Sequence, residues 1–174
     1  MNRNATDFTA QVETLVKANP EAVIFISNGP PIVKVVQGMR EKGYGGQFAT
    51  SSFSGLKVMD DLKDKGPGLI MSQVLPPPTR THLKLIKDYQ ADLAAFAPGA
   101  KPNYTSTEGY VAARVLVEGL RRAGTASPER LVAALEDMKR VDLGGYEISF
   151  SKKSHDGSRF VDTGVVSRNG GLRF

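Results

Sequence analysis

The side chains that most often carry catalysis are few in this sequence. The chain has 174 residues with only two histidines and no cysteine. His82 begins a predicted surface helix, and His155 lies beside Asp156 in a predicted loop. A hydrolytic triad needs a nucleophile, a base and an orienting acid close together, whereas loops use Asp and Gly simply to turn. His155 remains the one candidate for a catalytic base, in a small α/β enzyme.

Metal and phosphate chemistry finds little support in the residue spacing. The absence of cysteine excludes thiolate metal sites and disulfides, and two histidines supply too few ligands for zinc. Asp60 and Asp61 form a carboxylate pair that a solvated helix face explains better than acid–base catalysis. The glycines at 43–46 and 170–171 lack the lysine and the spacing of phosphate-binding loops. We therefore predict a binding protein rather than an enzyme, with no catalytic residues, metal or cofactor.

The residues best suited to hold a ligand follow two predicted strands. Asn28 and Gly29 follow the first strand, and Ser51, Ser52 and Phe53 follow the second. Hydroxyl, carboxamide and free backbone N–H groups can hydrogen-bond a small polar or anionic ligand, and Phe53 can supply an apolar wall. Such residues are also common as helix N-caps. Spacing alone therefore leaves a ligand site and a purely structural role both open.

Apolar periodicity predicts the elements that would position these residues. We predict helices at 7–18, 32–39 and 56–66, alternating with strands at 22–27, 47–52 and 68–76. This alternation with short connections is typical of a wound α/β sheet flanked by helices. The run AVIFIS (22–27) is apolar throughout, which predicts a strand covered by helices on both faces of a parallel sheet. Residues 27–29 and 50–54 should then share the sheet edge at which such folds bind ligands.

The second half of the sequence is mainly helical and ends in strands. We predict helices at 81–96, 105–123 and 128–139, followed by strands within 144–151 and 159–174 that SKKSHDG (151–157) joins. Thr105 and Glu108 have the spacing of a capping box. Ser127 is the predicted N-cap of the last helix, with Pro128 at its first position. The apolar residues of helix 105–123 cover more of its surface than one neighbour can bury.

Composition limits the partners that this chain would bind. The net charge is +5, but the basic residues are interleaved with acids, which favours a solvated surface over nucleic-acid binding. No apolar run approaches the length of about 18 residues that suggests a membrane span. Residues 1–16 contain no continuous apolar core, so no secretory signal is expected in this chain.

The order of these elements resembles the C-terminal part of type I periplasmic solute-binding proteins, in the leucine/isoleucine/valine-binding family of ABC transporters. Four stretches carry the resemblance: RNATDFTAQVETLVKANPEAVIF, GMREKGYGGQFATSSFSG, YTSTEGYVAARVLVEGLRRAG and GGYEISFSKKSHDGSRFVDTGVVSRNGG. Together they span nearly the whole chain. The resemblance implies a protein of two α/β lobes that closes on ligand between them, with most of the first lobe outside this sequence.

That resemblance implies a division of the chain into three parts. Residues 1–103 would form a partial ligand-binding lobe, 104–140 would supply helices that pack on the absent first lobe, and 141–174 would return to the ligand-binding lobe. An uncovered apolar helix should associate with something. We therefore expect a homo-oligomer through the exposed helix 105–123.

The function implied by the resemblance is solute binding for an ABC importer. The full-length parent would be periplasmic, with an ABC permease as partner and an amino acid or a small carboxylate or amide as ligand. Amino-acid-binding members place an aromatic or polar residue near Asn28 and an acidic residue near Ser52, and Ser52 is not acidic. Two alternatives stay open, namely a ligand-sensing domain of a receptor or transcriptional regulator, and the small enzyme built around His155.

Overall fold

The computed structural model describes residues 5–174, and within them the chain forms six α-helices and seven β-strands. In chain order these are α1 (Thr9–Ala18), β1 (Ala22–Phe25), α2 (Gly29–Glu41), β2 (Gln47–Thr50), α3 (Lys57–Leu62), β3 (Ile70–Gln73), α4 (Lys84–Phe96), α5 (Tyr104–Ala123), α6 (Pro128–Glu136), β4 (Val141–Asp142), β5 (Glu147–Ile148), β6 (Asp162–Val166) and β7 (Leu172–Arg173). Short 3₁₀ turns cover Ser52–Ser54 and Lys63–Lys65.

The chain folds into two compact units. Unit 1 comprises the described residues up to Gln73 together with Val161–Phe174, and unit 2 is Val74–Phe160. The three-part division expected from the resemblance concerns what each segment would pack on in a longer protein, and it stays a prediction.

Unit 1 is built on a five-stranded sheet in the order β1–β2–β3–β6–β7. The first three strands are parallel, and β6 and β7 add to them in antiparallel fashion. This arrangement confirms the predicted α/β class with a sheet flanked by helices, and it adds two antiparallel strands to the parallel part.

Helices α1, α2 and α3 contribute to one apolar core on a single face of that sheet. Phe48, Met71 and Val166 point into this core with helix residues such as Val36 and Leu62. The other face carries every second residue of the strands, and Ile24 on it is 71% exposed. The prediction that strand 22–27 is covered on both faces is therefore wrong, because all three helices of this unit pack on the same face.

Unit 2 contains the three remaining helices and the two-stranded antiparallel sheet β4–β5. Its core is formed by Leu75, Leu85, Val111, Met138, Leu143, Tyr146 and Ile148. Helices α5 and α6 pack closely at Gly119, where an added β-carbon would lie 2.8 Å from Leu135 Cδ2. In the part of the chain described, no helix is long and apolar enough to span a membrane.

The N-terminus of α5 is capped differently from the prediction. The helix begins one residue earlier, at Tyr104, and the side chain of Asn103 accepts a hydrogen bond from the Ser106 N–H at 3.0 Å. The Thr105–Glu108 capping box does not form, because Thr105 already lies inside the helix. At α6 the predicted N-cap Ser127 and first-position Pro128 are both confirmed, although no side-chain cap bond forms there.

The closing strands pair in a way that the sequence did not predict. The strand within 144–151 is reduced to β5, which pairs with β4, whereas the strand after it, β6, pairs with β3. Residues 151–157 therefore connect two different sheets and do not close a hairpin. Helix α5 does carry more apolar surface than its unit buries, since Leu116, Val117 and Leu120 remain exposed.

Candidate functional site

The candidate site lies at the edge of the unit 1 sheet where β1, β2 and β3 end. Phe25 pairs with Thr50, and Thr50 pairs with Met71, so the three parallel strands finish side by side. In open α/β sheets, ligands bind outside the carboxyl ends of the strands. The two predicted segments, 27–29 and 50–54, follow β1 and β2 at this edge, as expected.

The loop after β1 leaves the side chain of Asn28 available. Asn28 is the N-cap of α2 with extended backbone, but its side chain makes no capping hydrogen bond. Within this loop Asn28 Oδ1 lies 3.5 Å from Ser27 Oγ, at the limit of hydrogen-bond distance. Asn28 therefore occupies the N-cap position, but its side chain does not cap the helix.

The start of α2 offers few backbone donors to a ligand. The helix begins Gly29-Pro30-Pro31, and proline has no N–H. Helix N-termini bind anions through their unsatisfied N–H groups, and two of these donors are missing here. The first turn of α2 therefore presents few backbone donors at this edge, and the polar groups beside it are side-chain hydroxyl and amide groups.

The loop after β2 forms the 3₁₀ turn Ser52–Ser54. Ser54 is buried and its Oγ donates to the Ser51 carbonyl oxygen at 2.9 Å, which fixes the turn internally. Ser51 and Ser52 are half-buried. Phe53 at the tip of the turn is 78% exposed, which leaves its ring free to contact an apolar group of a ligand.

The two loops meet directly at Gly29. A β-carbon at this position would lie 3.1 Å from the Ser54 carbonyl oxygen and 3.0 Å from Val58 Cγ2. Gly29 therefore acts by its small size, and it brings α2 against the turn after β2. The structure thus places Asn28, Gly29, Ser51, Ser52 and Phe53 on two adjoining loops.

Two further polar residues lie at this edge and were missed from the sequence. Gln73 is the last residue of β3, and Asp162 is the first of β6 and pairs with Gln73 in antiparallel register. The Asp162 carboxylate accepts the Thr163 N–H at 2.9 Å. The segments 26–29 and 51–55 contain no charged side chain, so Asp162 adds a carboxylate that these two loops do not supply. Only the pairing of β3 with β6 reveals it, and no local pattern signals that pairing.

The residues considered for catalysis belong to different units, His155 to unit 2 and the Asp60–Asp61 pair to unit 1. His155 is exposed in unit 2, where its Nε2 lies 3.1 Å from Glu136 Oε1. Both groups border an apolar cavity of about 210 Å³, which Val115, Val132, Leu135 and Phe150 also line. Asp61 forms an ion pair with Lys57 one helical turn away, as a solvated helix face would. Among the described residues, no cluster of three or more His, Asp or Glu side chains could hold a metal ion.

Comparison with known proteins gives the class of this fold. A family model described as periplasmic binding protein matches residues 1–170, and the chain belongs to that family. A search of curated protein sequences finds no match.

Solved structures give a closer view of the relationship. A possible leucine/isoleucine/valine-binding protein from Rhodopirellula baltica is 25% identical, with a TM-score of 0.88 over 97% of this chain and 47% of its own. A substrate-binding periplasmic protein from Ralstonia solanacearum is 27% identical, with a TM-score of 0.86 over 98% of this chain and 50% of its own. A leucine-binding protein from Thermotoga maritima shares the fold at 20% identity, with a TM-score of 0.84 over 98% of this chain and 48% of its own. This chain thus spans about half the length of the solved structures that it matches. The resemblance to leucine/isoleucine/valine-binding proteins is confirmed at the level of family and fold.

Proposed function

We propose that this chain is part of a non-catalytic solute-binding component of an ABC importer, with its ligand contacts at the edge of the unit 1 sheet. The observation that carries this proposal is the junction of the two loops at Gly29. It groups exposed or half-buried polar side chains beside an exposed aromatic ring. Family membership supports solute binding as the general activity. In a longer parent protein, a second lobe and an ABC permease would complete the function.

The ligand class follows from the groups at this edge. Hydroxyl and carboxamide groups suit a carboxylate or an amide, and the exposed Phe53 suits an apolar side chain. An α-amino acid also needs a partner for its ammonium group, because burying that charge unpaired is costly. Asp162 supplies a carboxylate at the edge where Ser52 does not. We therefore propose branched-chain amino acids or related small carboxylates and amides as ligands.

Three probes of matched shape would separate these ligand classes. L-leucine, 4-methylpentanoate and 4-methylpentanamide share one apolar side chain. L-leucine carries an ammonium and a carboxylate, 4-methylpentanoate carries only the carboxylate, and 4-methylpentanamide carries an amide. A ligand at about ten times its Kd stabilises the folded state by roughly 1.4 kcal/mol, so at least one probe should raise the unfolding midpoint at millimolar concentration.

The double variant Asn28→Ala/Ser52→Ala should lose that stabilisation, whereas Ser149→Ala, an exposed position in unit 2, should keep it. Equal responses of both variants would place binding elsewhere. No response of the unmodified chain to any probe would count against this ligand class.

We further propose that the chain associates with itself through α5. Leu116, Val117 and Leu120 form an exposed apolar stripe, at spacings that lie on one side of a helix. Exposed apolar patches of this kind commonly mark interaction surfaces. In a two-lobed parent, the same stripe would pack on the other lobe.

A further inference from the structure

Among the described residues of unit 1, three polar side chains are buried, and all three lie near the edge of the sheet that holds the proposed site. Thr50 ends β2, Ser54 ends the turn that follows β2, and Gln73 ends β3. Polar groups are rarely placed in a protein interior without a partner. Their grouping at one end of two neighbouring strands calls for a chemical explanation.

Two of the three have partners in the protein. Thr50 Oγ1 lies 3.4 Å from the Phe25 carbonyl oxygen, and Ser54 Oγ donates to the Ser51 carbonyl oxygen at 2.9 Å. Gln73 is only 2% exposed, and its Nε2 has no hydrogen-bond partner among the residues that the structure describes. A buried donor without an acceptor destabilises the fold, so this carboxamide is costly where it stands.

The position of Gln73 relates it to the ligand loops. Thr50 pairs with Met71, so Gln73 lies two residues further along, level with the start of the 52–54 turn. That turn also lies against β3. The unpartnered amide is therefore at the same end of the sheet as Ser51 and Ser52.

We propose that Gln73 Nε2 donates a hydrogen bond to an oxygen acceptor of the bound solute, the carbonyl of an amide or the oxygen of a carboxylate. This inference rests on the proposed function and assigns one donor of that site. An oxygen acceptor fits because the side chains of the first two loops supply neutral hydrogen-bond donors. Pro30 and Pro31 remove backbone N–H groups from the start of α2, so side chains are the main donors at this edge. Residues that are held unsatisfied for a ligand commonly lower stability in its absence.

Gln73 is enclosed, so a solute reaches this amide only if a neighbouring segment moves, and the 52–54 turn is a segment that lies against β3. The turn is a single 3₁₀ turn held by one internal side-chain bond, and it ends at Gly55 with φ +76°. Glycine adopts that conformation without steric cost. A solute entering at the edge therefore has a short segment to displace rather than a strand or a helix.

The test compares two glutamines of unit 1 in the intact chain. Gln37 is half-buried and its Nε2 donates to the Asp61 carbonyl oxygen at 3.2 Å, so Gln37→Met removes a formed hydrogen bond. Gln73→Met removes a donor that forms no hydrogen bond in the structure. Without probe, we expect Gln37→Met to lower the unfolding midpoint and Gln73→Met to leave it unchanged or raise it. If Gln73→Met lowered the unfolding midpoint as much as Gln37→Met does, Gln73 would have a structural role and the inference would be overturned.

Probe binding supplies the second readout. With 4-methylpentanamide, 4-methylpentanoate or L-leucine, Gln73→Met should bind about tenfold more weakly than the unmodified chain, the effect of one lost hydrogen bond. Unchanged affinity in Gln73→Met, with affinity lost in Asn28→Ala/Ser52→Ala, would overturn this inference and leave the proposed function intact. If no probe binds the unmodified chain, the proposed function fails for these ligands and the inference falls with it.

Discussion

The carbonyl oxygen of Ser54 lies 3.1 Å from the point that a β-carbon on Gly29 would occupy. This distance is shorter than most contacts that real β-carbons make, and the neighbour is backbone, which yields less easily than a side chain. Glycine at position 29 thus allows α2 to approach the turn after β2. The two loops of the candidate site owe their contact to that missing methyl group.

Gly29→Ala should lower the free energy of unfolding by about 1–3 kcal/mol, the usual effect of overpacking. Gly45→Ala is the matched control, because nothing lies within 4 Å of the point that its methyl group would occupy and its φ is not in the left-handed region. Urea denaturation of both variants measures the difference. Equal stability of Gly29→Ala and the unmodified chain would show that the two loops are not in contact.

The N-terminus of α5 offers a test of which residue caps it. Asn103→Ala removes the acceptor of the Ser106 N–H and should cost about 1 kcal/mol of stability. Thr105→Ala should change stability little, because Thr105 is exposed within the helix. Chemical denaturation of the two variants measures both stability changes. A larger loss of stability in Thr105→Ala than in Asn103→Ala would support the capping box predicted from the sequence.

The turn before β5 should make stability depend on pH. Asp142 Oδ1 accepts the N–H groups of Gly145 and Gly144 at 2.6 and 2.9 Å, and these bonds hold the pKa of its carboxyl below the ordinary value. Because the folded-state pKa is lowered, its contribution is present above the ordinary aspartate pKa and is lost as pH falls through the folded-state value. The unmodified chain should therefore exceed Asp142→Ala in unfolding midpoint at neutral pH.

That difference should shrink when thermal unfolding is followed down to about pH 3, below the ordinary aspartate pKa. Asp142→Asn is the control, since it keeps an acceptor without the charge. A difference between the unmodified chain and Asp142→Ala that is constant with pH would show that the carboxylate charge does not contribute.

Self-association should be sensitive to charge on α5. Val117→Glu places a carboxylate in the stripe formed with Leu116 and Leu120, and it should shift the chain towards monomer in sedimentation velocity at micromolar concentration. Ile24→Glu is the comparison, because Ile24 is exposed on the uncovered face of the unit 1 sheet. Dissociation by Ile24→Glu alone would move the interface to that sheet face. If the unmodified chain is a monomer, the proposed self-association through α5 is wrong.

Local patterns were sufficient for the parallel part of the fold. Proline and glycine residues around 19–20 and 42–46 separated the helices from β1 and β2, and the apolar run 22–27 identified the first strand, of which β1 covers Ala22–Phe25. Once those strands were assigned as parallel, the common edge of the two ligand loops followed from topology. The positions of Asn28 and Ser52 were predictable for that reason.

What the sequence did not reveal depends on contacts between distant segments. The pairing of β3 with β6 joins residues about ninety positions apart, and it alone brings Asp162 beside Gln73. Ile24 is exposed because the helices of unit 1 pack on the opposite face of the sheet. The apolar run 22–27 has no polar–apolar alternation, so the sequence could not indicate which face would be covered. The cap at Asn103 was missed because Thr105 and Glu108 had the better-known spacing.

Backbone amide chemical-shift mapping by NMR, during titration with L-leucine, 4-methylpentanoate and 4-methylpentanamide, would locate the solute most directly. We predict that the amides of 27–29 and 51–54 shift with probe concentration, while those around the apolar cavity of unit 2 at Val115, Val132 and Phe150 do not. Shifts confined to that cavity, or no shift at 27–29 and 51–54, would contradict a solute site at the edge of the unit 1 sheet.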